Sequence, residues 1–368
     1  MRDRQSICIV ITNDIFSDQR IQRIADTLEE ADYNISVFHR IKGNRKGRYN
    51  WKCKGINMMF KSGPLFYVEF NLRAFIYLII NQFDVITSTD VDTIIACRIA
   101  AWVKRKPLFF DAHEHFTMVP ELVGRSFKQK IWRVVEKLFV RNLAGAYTVN
   151  QTLADTFTER YREPFISIRN LPHLKPGFQP QVRELTNVDS IILIYQGAIN
   201  KGRGIELYID ALDQLPECEL WIIGEGDLDQ KIELLVDHSS SRKRIKIKGL
   251  ISPKELPEIT AQAHIGLNLL DPNSESYFNS LANRYYDYIK AGIPSIHMNF
   301  PEYKKANELH NTGILLSQYT LDALVHAIQP LIADPELYYS LSENCAQAIQ
   351  ENNWEKESSK LLKLYSSI

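Results

Sequence analysis

At 368 residues the chain has room for two domains and a large buried core, and with 45% hydrophobic and 24% charged residues it is neither disordered nor fibrous. Lys plus Arg and Asp plus Glu are both 44, which gives no electrostatic sign of a nucleic-acid partner. The 5 cysteines are scattered without a C-x-x-C, which argues against a zinc site or a disulfide frame and suits a reducing compartment.

Ile7–Thr12 (ICIVIT) reads as a buried parallel strand that stops at Asn13-Asp14 and carries no signal-peptide pattern. The turn NDIFSDQR follows, then a helix with Ile21, Ile24, Ala25 and Leu28 on one face, then the strand Asn34–Phe38. Strand, turn, helix and strand open a doubly wound α/β domain, and the first turn lacks the G-x-G-x-x-G of a dinucleotide site. Residues 40–61 are basic without an acid (Arg40, Lys42, Arg45, Lys46, Arg48, Lys52, Lys54, Lys61) and run into Met58, Met59, Phe60 and an aromatic stretch. A solvated loop explains this segment, and so does contact with an anionic membrane or an acidic acceptor. The longest apolar run, Ala74–Ile80, is too short to span a bilayer, and Phe75–Ile80 is expected in the core.

Further strands are expected at Asp84–Ser88, Pro107–Phe110 and Ala146–Val149, with helices at Asp92–Val103, Phe127–Leu143 and after Asn150. Most of the apolar stripe of 127–143 is expected to be core. Asp111, His113, Glu114 and His115 end a strand, where ligands bind in this fold class, and His113 is the candidate for chemistry; nothing nearby completes a metal set. The polar, Pro-containing segment 175–188 is the linker candidate. The alternation restarts with strands at 191–196, 220–223, 245–248, 264–270 and 294–298 and helices between them, so a second parallel sheet follows.

Three turns of this second half suit a diphosphate, because strand-to-helix turns collect backbone N–H groups and positive helix ends. In GAINKGRG, Gly197 and Gly202 admit a close ligand while Lys201 and Arg203 reach phosphate oxygens. In GEGD, Gly224 and Gly226, beside Glu225, leave room for a base or ribose, and Asp227 is placed to cap the next helix. In NSLANRYYDYIKAG, Asn279 or Ser280 opens a helix with Asn283 and Arg284 in its first turn and Asp287 one turn on, where a carboxylate holds ribose hydroxyls. Each of the first two turns alone reads equally well as an ordinary surface turn or cap, and Asp287 also reads, less readily, as an exposed acid on an amphipathic helix.

The motifs Tyr195–Glu206, the G-E-G-D turn, Lys248–Leu256 and Ser280–Pro294, with Thr12–Arg20 and Phe110–Glu114, resemble the family 4 retaining glycosyltransferases, and the resemblance covers nearly the whole chain. It implies the GT-B fold: two Rossmann-like doubly wound domains facing across a cleft, here 1–175 on the acceptor side and 189–350 on the donor side, with a final helix, 352–368, packing back on the first. It implies Arg203 at the donor phosphates, Asp287 at the ribose, His113 near the reacting sugar, and the main chain around Leu250 and Ile251 bordering the base. Asn13, Asp18, Arg20 and Glu114 fall on the acceptor side.

The chain departs from the family pattern at Asn279, where an acid is usual and for which Glu275 is a substitute, and at Ala198, where an arginine is common. The function implied is metal-independent, cofactor-free, retaining transfer of a hexose from a nucleotide diphosphate sugar to a hydroxyl of a surface glycan or lipid-linked acceptor, in the cytoplasm or at the inner face of the membrane. A non-catalytic sugar-nucleotide-binding subunit and a nucleotide-sugar epimerase or hydrolase are the other readings.

Overall fold

The computed structural model describes residues 4–42, 49–118, 125–185 and 189–367. Arg45, Lys46 and Arg48 of the basic segment lie outside the described residues, as do 186–188 of the expected linker. The chain divides into two units: 1–170 with 357–368, and 171–356. The segment expected as linker goes with the second unit, because Leu174, Phe178 and Leu185 pack on its core.

The first unit runs β1 (Ser6–Val10), α1 (Gln19–Glu30), β2 (Asn34–Arg40), β3 (Lys52–Ile56), α2 (Gly63–Ile80), β4 (Val85–Thr89), α3 (Ile94–Lys104), β5 (Leu108–Ala112), α4 (Ser126–Phe139), β6 (Gly145–Thr148), α5 (Gln151–Tyr161) and β7 (Phe165–Ser167). Its seven strands are parallel in the order β3-β2-β1-β4-β5-β6-β7. Strands covered on both faces need apolar side chains at every position, which is why Ile7, Cys8, Ile9 and Val10 are all fully buried. The order reverses between β1 and β4, and ligands of such sheets bind beyond the strand C-termini at that reversal.

Three elements differ from the sequence expectation. Residues 52–56 form an edge strand whose exposed Lys52 and Lys54 suit an unpaired sheet edge. Helix α2 is one continuous helix of 18 residues, more than twice the apolar run read from the sequence, and within its last turns Leu78 is buried while Ile76 and Ile80 are exposed. Helix α4 leaves Phe127, Ile131, Val134 and Leu138 exposed; Trp132, Val135 and Phe139 supply its core contacts.

The second unit runs β8 (Ile191–Gln196), α6 (Ile205–Ala211), β9 (Cys218–Ile223), α7 (Asp229–His238), β10 (Ile245–Gly249), α8 (Leu256–Thr260), β11 (Ile265–Asn268), α9 (Glu275–Phe278), α10 (Asn283–Lys290), β12 (Ser295–Met298), α11 (Pro301–His310), β13 (Gly313–Leu316), α12 (Leu321–Ala333) and α13 (Pro335–Glu351). Its six parallel strands lie in the order β10-β9-β8-β11-β12-β13, with the reversal at β8/β11. The last helix, α14 (Trp354–Tyr365), starts in the second unit and belongs to the first from Glu357 on. There Glu357 accepts from the Arg169 main chain at 2.9 Å, and the Tyr365 ring stacks on Phe109 at 4.4 Å.

Candidate functional site

In the second unit the turns after β8, β9 and β10 are joined by their main chains. Gly197 N–H donates to Ile223 O at 2.9 Å, Ile199 N–H to Glu225 O at 3.2 Å, and Gly224 N–H to Gly249 O at 2.9 Å. The joint demands glycine. A Cβ on Gly224 (φ +134) would lie 1.9 Å from Gly197 O, and one on Gly226 would lie 2.3 Å from Ile199 O. Glu225 is exposed at the crest of its turn.

Above this joint the cations differ in placement. Lys201 is exposed. Arg203 is half-buried, its guanidinium 4.9 Å over the Tyr277 ring, and its Nε donates to Tyr277 Oη at 3.2 Å. Arg284 is 5% exposed, lies 4.7 Å over the Tyr195 ring, and its Nη1 has no hydrogen-bond partner. That nitrogen is 3.3 Å from where a Cβ on Gly197 would stand, so the buried charge sits directly behind an exposed glycine turn. A buried guanidinium with an unsatisfied nitrogen is costly and calls for an anion.

The helix expected to open at Asn279 or Ser280 opens at Asn283. Asn279 instead caps the C-terminus of α9, its Nδ2 donating to Glu275 O at 3.2 Å, and the Ser280 hydroxyl donates to Tyr277 O at 2.8 Å. The N-cap of α10 is Ala282, which has no side chain to satisfy the first turn, and Asn283 is exposed there. One turn on, Asp287 Oδ2 accepts from Gln196 Nε2 at 2.9 Å, and Gln196 Oε1 accepts from Thr260 Oγ1 at 2.7 Å. Asp227 does not cap α7: Asp229 Oδ1 takes the Gly226 N–H at 2.9 Å, while the Asp227 N–H goes to Asn200 Oδ1. Leu250 is exposed after β10, and Ile251 packs partly on the core.

The first unit gathers ionisable side chains at the ends of β1, β4 and β5. His113 Nε2 is 3.0 Å from Asp111 Oδ2, its Nδ1 is 3.7 Å from Asp90 Oδ2, and its main-chain N–H donates to Asp90 Oδ1 at 2.8 Å. Burial opposes its charge, but the carboxylates of Asp111 and then Asp90 outweigh this and push it up to about 9. Burial pushes Asp90 up to about 8 against the pull of His113, and Asp92 up to about 6 against the 2.5 Å bond from Thr12 Oγ1. Burial also acts on Asp111, but Arg20 and His113 hold it below the usual carboxylate range. The paired charges thus favour a protonated imidazole beside an ionised Asp111, while burial favours the proton on Asp90.

Arg20, expected to meet an acceptor, is 4% exposed; it holds Asp111 through Nη2 at 2.8 Å and donates through Nη1 to Ile168 O at 2.7 Å. Its role is to position Asp111. Asp18 is the N-cap of α1, accepting from Ile21 N–H at 3.1 Å, and Asn13 and Glu114 are exposed. Asp90, Asp92, Gln196 and Tyr277 escaped sequence reasoning; Asp90 had the same signal as His113, a polar residue just past a buried strand. Among the described residues no three His, Cys, Asp or Glu side chains form a group suited to a metal.

Residues 180–348 match the family model described as Glycosyl transferases group 1. The chain is 22% identical over 256 residues to the alpha-D-kanosaminyltransferase of Streptomyces kanamyceticus, covering 65% of each protein. It thus spans about two thirds of that relative's length. Its structure is similar to sucrose-phosphate synthase from Thermosynechococcus elongatus (TM-score 0.78, 19% identity, 99% of both chains). It is also similar to Anabaena HepE in complex with UDP-glucose (TM-score 0.74, 13% identity, 99% of this chain and 100% of that one). Residues 180–348 of the second unit are thus similar to that glycosyltransferase family, and the chain has the GT-B fold of two Rossmann-like parallel-sheet units.

Proposed function

We propose that the protein is a retaining hexosyltransferase acting on a nucleoside diphosphate sugar, with a hydroxyl of a glycan or lipid-linked saccharide as acceptor. The observation that carries this is Arg284, a buried cation with an unsatisfied nitrogen behind the Gly197 turn. Arg203 and Lys201 on the same turn, and the uncapped start of α10, add positive potential for the same diphosphate. Asp287, oriented by Gln196, is assigned the ribose hydroxyls. That Anabaena HepE holds UDP-glucose supports this donor class.

In the proposed step the bond from the anomeric carbon to the diphosphate oxygen breaks, and a bond to the acceptor oxygen forms on the same face of the sugar. The acceptor proton passes to the departing phosphate oxygen, and no metal is assigned a part. His113 is the proposed catalytic residue, a charged hydrogen-bond donor to the sugar. The acceptor is assigned to the first unit through Asn13, Asp18 and Glu114. Free cysteines at all five positions support action in a reducing compartment, the cytoplasm.

The test is a thermal-shift and calorimetric panel of nucleoside diphosphates and their sugars on wild type and Arg284→Met. Wild type should be stabilised by a nucleoside diphosphate, and the variant should bind it at least about tenfold more weakly with no loss of ligand-free stability. Absence of any nucleotide binding, together with unchanged behaviour of Arg284→Met and Asp287→Ala, would sink the reading. Asn279 and Ala198 favour a second reading, a binding subunit without turnover; nucleotide binding without product from any donor and acceptor pair would establish it.

A further inference from the structure

We propose that the outer face of α2, α3 and α4 in the first unit seats the protein on an anionic phospholipid bilayer. The crossovers into β4, β5 and β6 progress in one direction across the sheet, so right-handed connections place these three helices on one side. They are joined there: the Tyr67 and Trp132 rings meet at 4.9 Å, and Arg98 Nε donates to Phe139 O at 3.1 Å.

Helix α2 is apolar on two opposite sides. Phe66, Phe70, Ala74 and Leu78, four residues apart, are buried in the core, while Leu65, Val68, Leu72, Ile76 and Ile80 form a second stripe facing out, Val68 at 63% exposure. The pattern repeats on its neighbours. Trp102 (78%) and Val103 stand out from α3, and Phe127 (76%), Ile131, Val134 and Leu138 form an outward stripe on α4. A soluble protein rarely exposes so contiguous an apolar surface without a partner for it.

Charge selects the partner. The three helices carry seven basic residues (Arg73, Arg98, Lys104, Lys128, Lys130, Arg133, Lys137) against two acids. Both acids are paired, Glu69 with Arg73 and the buried Glu136 with Arg160. A two-fold contact with a second copy would set these cations against each other, whereas an anionic lipid surface complements them and accepts the apolar stripes between. Helix α2 is long and apolar enough to cross a membrane by length and composition, but crossing would strip its four inner side chains from the core, so it lies along the surface. The contact assigned by sequence to residues 40–61 thus moves to this face, which Met59 and Phe60 extend at its edge. The proposal is independent of the donor assignment.

The test is flotation of the full chain with vesicles of phosphatidylcholine alone and vesicles containing phosphatidylglycerol. Binding is expected on the anionic vesicles, weakening with salt. Lys128→Glu with Lys137→Glu should lower the partition at least about tenfold, at about fivefold for each cation removed. Leu72→Ser with Ile131→Ser should lower it comparably on both lipids. All four positions are exposed, and unchanged thermal melts would show that the variants fold. Three results would overturn the proposal: no binding to anionic vesicles, binding indifferent to both variant pairs, or a stable dimer in sedimentation that the same substitutions dissociate.

Discussion

The two units hold their candidate functional residues by opposite means. In the second unit the candidate donor site is shaped by main chain: three glycine turns bonded to one another, with a single buried guanidinium behind them. In the first unit the site consists of side chains, Asp90, Asp92, Asp111, His113 and Arg20, whose charges are set by burial and by each other. A diphosphate is held by many N–H groups and fixed cations that need not change state. A group that assists bond exchange must hold a proton, and its affinity for that proton must be tuned. The contrast predicts that backbone substitutions will dominate in one unit and carboxylate substitutions in the other.

Gly224→Ala should be the most damaging single change. Its Cβ would meet Gly197 O at 1.9 Å, and φ +134 disfavours any side chain. The second unit is expected to lose on the order of 4 kcal/mol or more and its nucleotide binding. Gly249→Ala is the control, because φ there is +63 with nothing within 4 Å, and about 1 kcal/mol is expected. Chemical denaturation of both variants checks this; equal losses would show that the joint is not what holds the turns.

Asp111→Asn is the counterpart in the first unit. It leaves the buried Arg20 without its carboxylate, and about 3–5 kcal/mol should follow. Nucleotide affinity of the second unit should stay within about twofold, since the change touches none of its residues. A variant that loses nucleotide affinity while folded would break the division drawn here.

How far these contrasts could be read in advance follows from the same physics. The glycine turns were legible, since a close backbone approach and a positive φ both leave a residue-type signature, in GAINKGRG and in GEGD. Alternating strands and helices revealed both parallel sheets, but the edge strand β3 was hidden because protecting an edge uses lysines, and lysines read as loop. The sequence pattern points the α4 stripe to the core because periodicity reports which side of a helix is apolar and not what covers it. The raised proton affinity of Asp90 was illegible: it arises from burial, against the pull of His113, which is 23 residues away in sequence. The helix start misplaced at Asn279 shows a local rival winning, with Asn279 and Ser280 bonding back to α9.

The pH profile separates the units at smaller energies. His113 has its proton affinity raised to about 9 in the fold, so its contribution is full below its unfolded value of 6.5 and is lost as pH rises through 9. Asp90, raised to about 8, acts with the same sign from its unfolded value of 3.8 upward, because the folded state binds the extra proton. The His113 share alone should weaken the first unit between pH 6.5 and 9 by up to about 3 kcal/mol, with Asp90 adding to the decline below pH 8, and His113→Gln should flatten it. Melts of the two proteins across this range test it; an equally steep decline in the variant would place the proton elsewhere.

The smallest effect probes the one point where the second unit uses a carboxylate. Asp287 is oriented by Gln196, which Thr260 orients in turn, so Gln196→Met removes the positioning bond without adding volume beyond the glutamine it replaces. Loss of one hydrogen bond to a charged group near the surface corresponds to about 1–2 kcal/mol, or about five- to thirtyfold in affinity. If Asp287 holds a ribose, that loss should appear with ribonucleoside diphosphates and shrink with the 2′,3′-dideoxy form, which offers no hydroxyl to either protein. Inorganic pyrophosphate should bind both proteins alike, because Arg284 and the glycine turns are untouched. A loss shared equally by all three probes would mean that Gln196 supports the fold of the turn and not the carboxylate.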